Sequence, residues 1–437
     1  MRFRIFLLLC LCILLPLVPA MGQSSAPVVI LRVDAPIFPA TANYVERGLK
    51  TAQEKEAQAI ILRLNTPGGQ IESMNRIVQA IVNSNIPVIV YVSPAGAMAG
   101  SAGAIITMAG HRSAMAPQTV IGAASPVGPA GDDLDSTMKN KLEQILVASA
   151  QTMTEERPVA AQQLAKDIIL DARAVSAREA LDVGLIDYIA ANTEELLQQL
   201  DNTRIQVKGE EQVLHTAAAP RIHVSMNPVE TLLQLLGNPN LVFLFMVMGI
   251  AGILGELLSP GGWVLGFIGT VSLALAAYGM GLLSVNWFGA FFLAIAFALF
   301  ALDVKASTHG ALTIAGVLTF IFGSLVLFNS SHAPEFQRVS VPLIITVGLA
   351  MGSMFAMLVG MGIYTTRKPP VMGKSTLIGQ RGIVRVPLNP KGQVQVSGEQ
   401  WSAEAAPNEV LPIERGEYIQ VKAVEGLRLV VSRTKKN

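Results

Sequence analysis

Ala59-Ile60-Ile61-Leu62-Arg63-Leu64-Asn65-Thr66-Pro67-Gly68-Gly69-Gln70-Ile71 decides the fold of the first half of this chain. Ala59 to Leu64 is a short, mostly apolar run, the signature of a buried strand. Asn65 to Gly69 ends it. From Ile71 to Ser84 the apolar residues Ile71, Met74, Ile77, Val78 and Ile81 return at helical spacing. The same alternation extends to either side: Val28 to Val33 and Val88 to Val92 predict two more buried strands, and Ala42 to Ala57 another helix. Strand, helix and strand in succession imply an α/β fold on a largely parallel sheet. This unit runs over residues 23–200.

The chain has 437 residues, too many for one ordinary globular domain. Apolar residues make up 51% and charged residues only 14%, with a mean hydropathy of +0.48. A large membrane portion is implied. A net charge of +1 excludes a strongly polyanion-seeking protein as a first expectation.

Residues 1–22 have the form of a secretory signal: Arg2 and Arg4, an apolar run from Ile5 to Val18, then Val18-Pro19-Ala20 at the cleavage site. A retained anchor is the alternative. Both cysteines, Cys10 and Cys12, lie here. Cleavage would remove them, and with them disulfides, thiol catalysis and cysteine metal sites. Leu7-Leu8-Leu9 before Cys10 lacks the small residues of a lipoprotein site.

Residues 201–240 are polar, then Ala/Pro-containing, without a strong period, and are expected to be a linker. Residues 241–366 are expected to form a transmembrane bundle, with apolar segments at about Leu241–Leu258, Trp263–Met280, Trp287–Leu302, Gly310–Phe328 and Val341–Tyr364. Several approach the ~20 residues needed to cross hydrocarbon. Five spans are expected, or four if one segment is re-entrant. Glycines such as Gly249, Gly252, Gly266, Gly269 and Gly323 allow close helix approach. Glu256, Asp303 and Lys305 stand at segment ends, where they either face the interface or line a polar path. Five crossings after a cleaved signal put the first domain outside and Arg367-Lys368, with Lys374, in the cytoplasm, as the positive-inside rule asks.

Residues 367–437 carry short alternating runs at Arg381–Val386, Gly392–Val396, Tyr418–Val424 and Arg428–Val431, the size of a small all-β, OB-fold-like barrel. OB-folds bind single strands through exposed aromatics. Only Trp401 and Tyr418 are available, so no nucleic-acid binding is expected and a protein-contact module fits better.

The chemistry rests on two turns. Glycines between Asn65 and Ile71 let backbone N–H groups point into a site at a helix N-terminus, a geometry that holds an oxyanion. An ordinary tight turn is the plainer alternative. Ala99-Gly100-Ser101-Ala102-Gly103 comes after the strand Val88–Val92 and opens a helix over Ala102–Ala109. A serine among small residues at such a junction can stand exposed, with the amide of Ala102 beside it. Tight helix packing explains small residues equally. His111 comes ten residues later, at the far end of the same helix and about 15 Å away by helical rise. A Ser-His-Asp triad is therefore not expected. The remaining base is a lysine, neutral in an apolar place. On the helix predicted over Asp135 to Ala150, Lys141 precedes Leu142, Ile145 and Leu146 and can turn inward, while Lys139 points elsewhere. Spacing alone does not choose between the two.

The chain resembles the long-form NfeD family, membrane-bound serine proteases of the Clp-protease/crotonase class encoded beside stomatin-like proteins. The resemblance rests on Leu64 to Gly69, Ser101-Ala102-Gly103, Met115-Ala116-Pro117, Ile121 to Val127 and Ala177 to Asp187. It continues through Glu256 to Gly261, Leu377 to Gly382 and Gly398 to Trp401. It implies a Clp-protease/crotonase-like α/β domain, a transmembrane bundle and a terminal OB-like domain. It also implies Ser101 as nucleophile, Lys141 as base, and an oxyanion and substrate cradle of Gly68, Gly69 and Ala102, with the amides of Gly69 and Ala102 on the oxyanion. No metal and no cofactor are implied. Partners implied are stomatin/prohibitin-like membrane proteins, the lipid bilayer and further copies of the chain. The chain departs from the family's pattern at Gly128–Asp135, at Ser125 and at Glu143-Gln144-Ile145, and Lys139 is the alternative base.

The expected activity is endopeptidase cleavage of apolar segments of membrane proteins. A non-catalytic membrane scaffold is one alternative. A crotonase-like enzyme acting on acyl-CoA is another, opposed by a secreted location away from coenzyme A.

Overall fold

Val28–Asp34 (β1), Ala59–Asn65 (β2), Val88–Val92 (β3) and Arg112–Met115 (β5) run parallel and side by side, with β1 to β3 mostly β-branched or aliphatic on both faces. The computed structural model describes residues 26–127, 135–258, 261–306, 308–329, 335–367 and 374–435. The signal, at residues 1–22, lies outside the described residues.

Between the strands come Pro39–Glu54 (α1), Ile71–Val82 (α2) and Ala102–Met108 (α3), followed by Ser136–Thr154 (α4), Val159–Leu170 (α5), Ala177–Asp182 (α6) and Thr193–Leu200 (α7). Tyr188–Ile189 (β8) extends the sheet beyond β5. A second, three-stranded layer joins Met98–Gly100 (β4), Val120–Gly122 (β6) and Ala174–Ser176 (β7). Successive strand residues feed two cores. Val29, Leu31, Ile60, Leu62, Val90 and Val92 face α1 to α5, whereas Val28, Ile30, Ile61, Ile89 and Tyr91 face the other way.

That second core contradicts the linker expected over 201–240. Arg204–Val207 (β9) and Glu210–Val213 (β10) form a hairpin, and Ile205, Val207 and Leu214 are buried against the sheet with Leu196, Leu197 and Leu200. Arg221–Val224 (β11) then pairs parallel with β1 from Val28↔Arg221 to Leu31↔Val224, forming the sheet edge. Pro228–Leu235 (α8) packs on α1. The strands are four residues long and at least half polar, and only β9 buries alternate residues, so no run of apolar residues advertises them.

Five apolar helices come next: Pro239–Leu258 (α9), Val264–Met280 (α10), Trp287–Ala306 (α11), Ala311–Phe328 (α12) and Val341–Arg367 (α13). Four of them are long and apolar enough to cross a membrane, and α10 is a shorter apolar helix. α9 and α10 form an antiparallel hairpin in which a Cβ at Gly252 would stand 3.0 Å from the Gly269 Cα. The Glu256 carboxylate accepts from the amides of Gly261 (3.3 Å), Trp263 (3.0 Å) and Gly266 (3.4 Å), capping α10. Asp303, buried, accepts from the Thr313 amide at 2.9 Å at the start of α12.

The last unit is a closed five-stranded barrel: Arg381–Val386 (β12), Lys391–Val396 (β13), Glu399–Ala405 (β14), Tyr418–Glu425 (β15) and Arg428–Arg433 (β16) in the order β12-β13-β14-β16-β15. Four of these strands are those expected. β14 has few apolar residues, of which Ala403 and Ala405 reach the barrel core.

Candidate active site

Ser101 sits at the junction of β4 and α3 with φ 50° and ψ −115°. Left-handed φ is rare for a side-chain-bearing residue and marks a strained turn. The turn persists because both flanks are held. The Ser101 amide donates to Gly122 O (2.9 Å), and Ser101 O accepts the Ala104 amide (3.0 Å). β4 is itself clamped between β6 and the end of β2, where the Thr66 amide donates to Met98 O (2.8 Å) and the Gly100 amide to Thr66 O (2.9 Å).

This clamp brings Gly68 and Gly69 to the serine. Gly68 has φ +123°, and a Cβ there would stand 2.6 Å from Ser101 Cβ and 3.2 Å from its Oγ. Only glycine fits. The Gly68 amide is taken by Thr66 Oγ1 at 3.1 Å. Gly68 O accepts from the Ile37 amide (2.8 Å), and the Gln70 amide donates to Ile37 O (2.9 Å). Among the described residues the amide of Gly69 has no acceptor. The amide of Ala102, in the first turn of α3, has no intrahelical acceptor either. Amides without a protein acceptor are the donors that an oxyanion of acyl transfer needs.

Asn65 is a positioning residue that sequence reasoning missed. Its Oδ1 accepts the Met98 amide (3.1 Å), and its Nδ2 donates to Asp34 Oδ1 (2.6 Å), tying the tips of β1 and β2 to β4. The missed contribution of Ile37 carries no sequence signal, since it acts through its backbone.

His111 is not a base for Ser101. α3 ends at Met108 and His111 leads into β5, where its Nδ1 accepts the Val88 amide at 3.1 Å. Burial pushes the imidazole below its usual range. Ser125 gives its hydroxyl to Ile169 O at 2.6 Å.

The lysines are placed differently from expectation. α4 packs against α3 and α5, and its buried face is Glu143, Leu146, Val147, Ala150 and Thr154. Lys141 stands on the outward face with Gln144, Ile145 and Ala148, and is exposed. The inward turn expected from Ile145 fails because Ile145 itself is 62% exposed. Lys139, four residues before Glu143, approaches its carboxylate at 3.9 Å. The departure at Gly128–Asp135 lies, but for Asp135, outside the described residues.

Three family models match the chain: the NfeD1b N-terminal domain over residues 27–210, the NfeD integral membrane domain over 240–361, and the NfeD-like C-terminal, partner-binding domain over 374–433. The chain is 32% identical over 417 residues to the membrane-bound protease PH1510 of Pyrococcus horikoshii, covering 94% of each. It is 26% identical over 425 residues to the membrane protein NfeD1b of Bacillus subtilis, covering 92% of each. Among solved structures it is similar to 1510-N, a membrane protease specific for a stomatin homolog from Pyrococcus horikoshii, at 29% identity over 48% of this chain and 97% of that one, with a TM-score of 0.41. It is also similar to the C-terminal domain of stomatin operon partner protein 1510-C from the same organism, at 42% identity over 15% of this chain and 98% of that one, with a TM-score of 0.14. With a relative above 30% identity matched almost end to end and three family domains in order along it, this multi-pass membrane protein belongs to the NfeD family.

Proposed function

We propose that this chain is a membrane-anchored serine endopeptidase that cleaves apolar segments of membrane proteins, stomatin/prohibitin-like proteins among them. One observation carries the reading: Ser101 occupies a strained strand-to-helix turn, with Gly68 packed against its Cβ and Oγ; the oxyanion donors in this reading are the amides of Gly69 and Ala102. In this reading Lys141 takes the Ser101 proton, and Oγ adds to the peptide carbonyl to give a tetrahedral oxyanion held by those amides. The C–N bond then breaks, the amine leaves with the proton, and water releases the acyl group from Ser101. Lys141 has no carboxylate partner among the described residues, whereas Lys139 is engaged with Glu143. Because Lys141 is on the exposed face of α4, this reading requires the first turns of α4 to reorient before Lys141 meets Ser101.

The outward position of Lys141 favours a second reading, a non-catalytic scaffold for stomatin-like partners. The two separate in one experiment on the full chain in lipid nanodiscs, following cleavage of an apolar stomatin C-terminal peptide. Loss in Ser101→Ala and Lys141→Ala with activity kept in Lys139→Ala establishes the dyad. Cleavage that survives Ser101→Ala, or none by folded wild type, leaves the scaffold.

α10 is about 25 Å long by helical rise, runs back along α9, and so counts as a crossing in this reading. Five crossings then place the α/β domain outside and the barrel in the cytoplasm, the side that receives Lys305. A homo-oligomer is part of the same proposal, through the family.

A further inference from the structure

α8 is built inside out. Its inward face is polar: Glu230 receives the Arg47 guanidinium (2.8 and 2.6 Å), and Gln234 Nε2 donates to Pro36 O at 3.0 Å while its Oε1 lies 2.8 Å from Thr41 Oγ1. Its outward face is apolar. Val229, Leu232 and Leu235 succeed one another at three-residue spacing and are 64%, 48% and 49% exposed. A helix that turns Glu230 and Gln234 to the protein and Val229, Leu232 and Leu235 outward has the pattern expected where the outside is apolar.

The residues just after α8 indicate what lies outside it. The chain passes from Leu235 to α9 at Pro239 with no slack: Leu236 is buried, Gly237 packs on the Phe38 ring, and Asn238 Oδ1 accepts the Asn240 amide at 2.9 Å. At this end of the bundle Asn240 Oδ1 accepts the Ser340 amide (2.9 Å), and the Asn286 amide donates to Leu327 O (3.0 Å). Beside them Trp287 and Phe288 are 68% and 75% exposed, the aromatic girdle of a membrane–water boundary.

We infer that α8 is an interfacial helix, with Val229, Leu232 and Leu235 seated in the headgroup–acyl boundary of the bilayer. The contact has a consequence for the site. Gln234 and Gly237 grip Pro36 and Phe38, and the residue between them, Ile37, is the one hydrogen-bonded to Gly68 and Gln70 on either side of the oxyanion turn. The bilayer surface thus seats the Gly68–Gly69 turn, and the opening beside Ser101 is held at a fixed relation to the lipid. The lipid contact rests on the membrane character of α9 and not on the peptidase reading.

The test uses the full chain with Cys10→Ser and Cys12→Ser, carrying one label site at a time at Val229→Cys, Leu232→Cys or Leu235→Cys, with Gln53→Cys on the exposed face of α1 as the control. Each is labelled with an environment-sensitive fluorophore and reconstituted in phosphatidylcholine/phosphatidylglycerol vesicles containing doxyl lipid. Shallow doxyl groups are expected to quench the three α8 sites at least about threefold more than Gln53→Cys, and deep doxyl groups less, as for a helix lying in the interface. Quenching no greater than at Gln53→Cys, in protein that melts like wild type, overturns the inference. So does efficient disulfide cross-linking of Leu232→Cys between two chains without lipid quenching, which assigns the face to a second copy.

Discussion

Replacing Gly68 by alanine places a methyl carbon 2.6 Å from Ser101 Cβ, on a backbone with φ +123°. Two penalties add. An L side chain at that φ is strained by about 1–3 kcal/mol. Carbon–carbon contact is comfortable from about 3.5 Å, so Ser101 and residue 68 must part by about 0.9 Å, and overpacking of this kind costs about 1–3 kcal/mol. Together they predict a loss of about 2–6 kcal/mol. At roughly 2–4 °C per kcal/mol for a domain of this size, a mid-range loss lowers the melting temperature by about 8–16 °C. A displacement near 1 Å at the oxyanion amides predicts about a hundredfold fall in kcat/KM. Gly209→Ala is the matched control: φ is +81° with nothing within 4 Å of the added carbon, so only about 1–2 kcal/mol of strain remains, with unchanged cleavage. Thermal melts and initial cleavage rates of the full chain in nanodiscs read both. A Gly68→Ala protein that melts and cleaves like Gly209→Ala would refute the packing of Gly68 on Ser101.

Ser101→Gly and Ser101→Ala should both be inactive, with Ser101→Gly about 1 kcal/mol the more stable because φ 50° is free of strain for glycine; equal urea midpoints would count against a strained turn. A fragment of residues 26–212 lacks β11 and Leu214, whereas 26–238 keeps both. The shorter should lose several kcal/mol, since each buried aliphatic side chain contributes about 1.5–3 kcal/mol, and equal urea midpoints would show the edge strand to be dispensable. Hydrogen bonds from Arg47 hold the Glu230 carboxyl below its usual range. Its folded pKa is depressed, so its contribution is full above the unfolded value near 4.3 and is lost as pH falls through the lower folded value. Amide exchange in α8 should therefore be flat from neutral pH to about 5, after correction for intrinsic rates, and accelerate below about 4. Glu230→Gln should remove that step, and its persistence would place the titrating group elsewhere.

Much of the site was legible because its parts are local. A strand ending in Pro-Gly-Gly and a serine set in small residues are short-range patterns, and they led to Gly68, Gly69, Ser101 and Ala102, of which Gly68 is packed against Ser101 through the β4 clamp. The dismissal of His111 rested on helical rise and agrees with its bond to Val88. Asn65 and Ile37 were illegible because what they do depends on contacts with Met98, Asp34, Gly68 and Gln70 that no spacing encodes. Lys141 shows a different limit. The apolar neighbours that suggested an inward turn include Ile145, which is itself exposed, and the face of a helix that meets the core depends on which helices it packs against.

By itself the amino-acid sequence determined the α/β alternation, the apolar helices and four of the barrel strands, because each is written in the periodicity of its own residues. Tertiary structure alone decided that β9 to β11 and α8, within residues 201–240, belong to the α/β domain: β9 to β11 are too short and too polar to announce themselves, and acquire a role only when β1 offers an unpaired edge and the sheet an uncovered face. It likewise decided that α8 turns Leu232 and Leu235 outward, since Arg47, Thr41 and Pro36, all on or beside α1, claim the polar side of that helix. Patterning records what each segment can bury, and only the assembled chain shows which neighbour it is buried against.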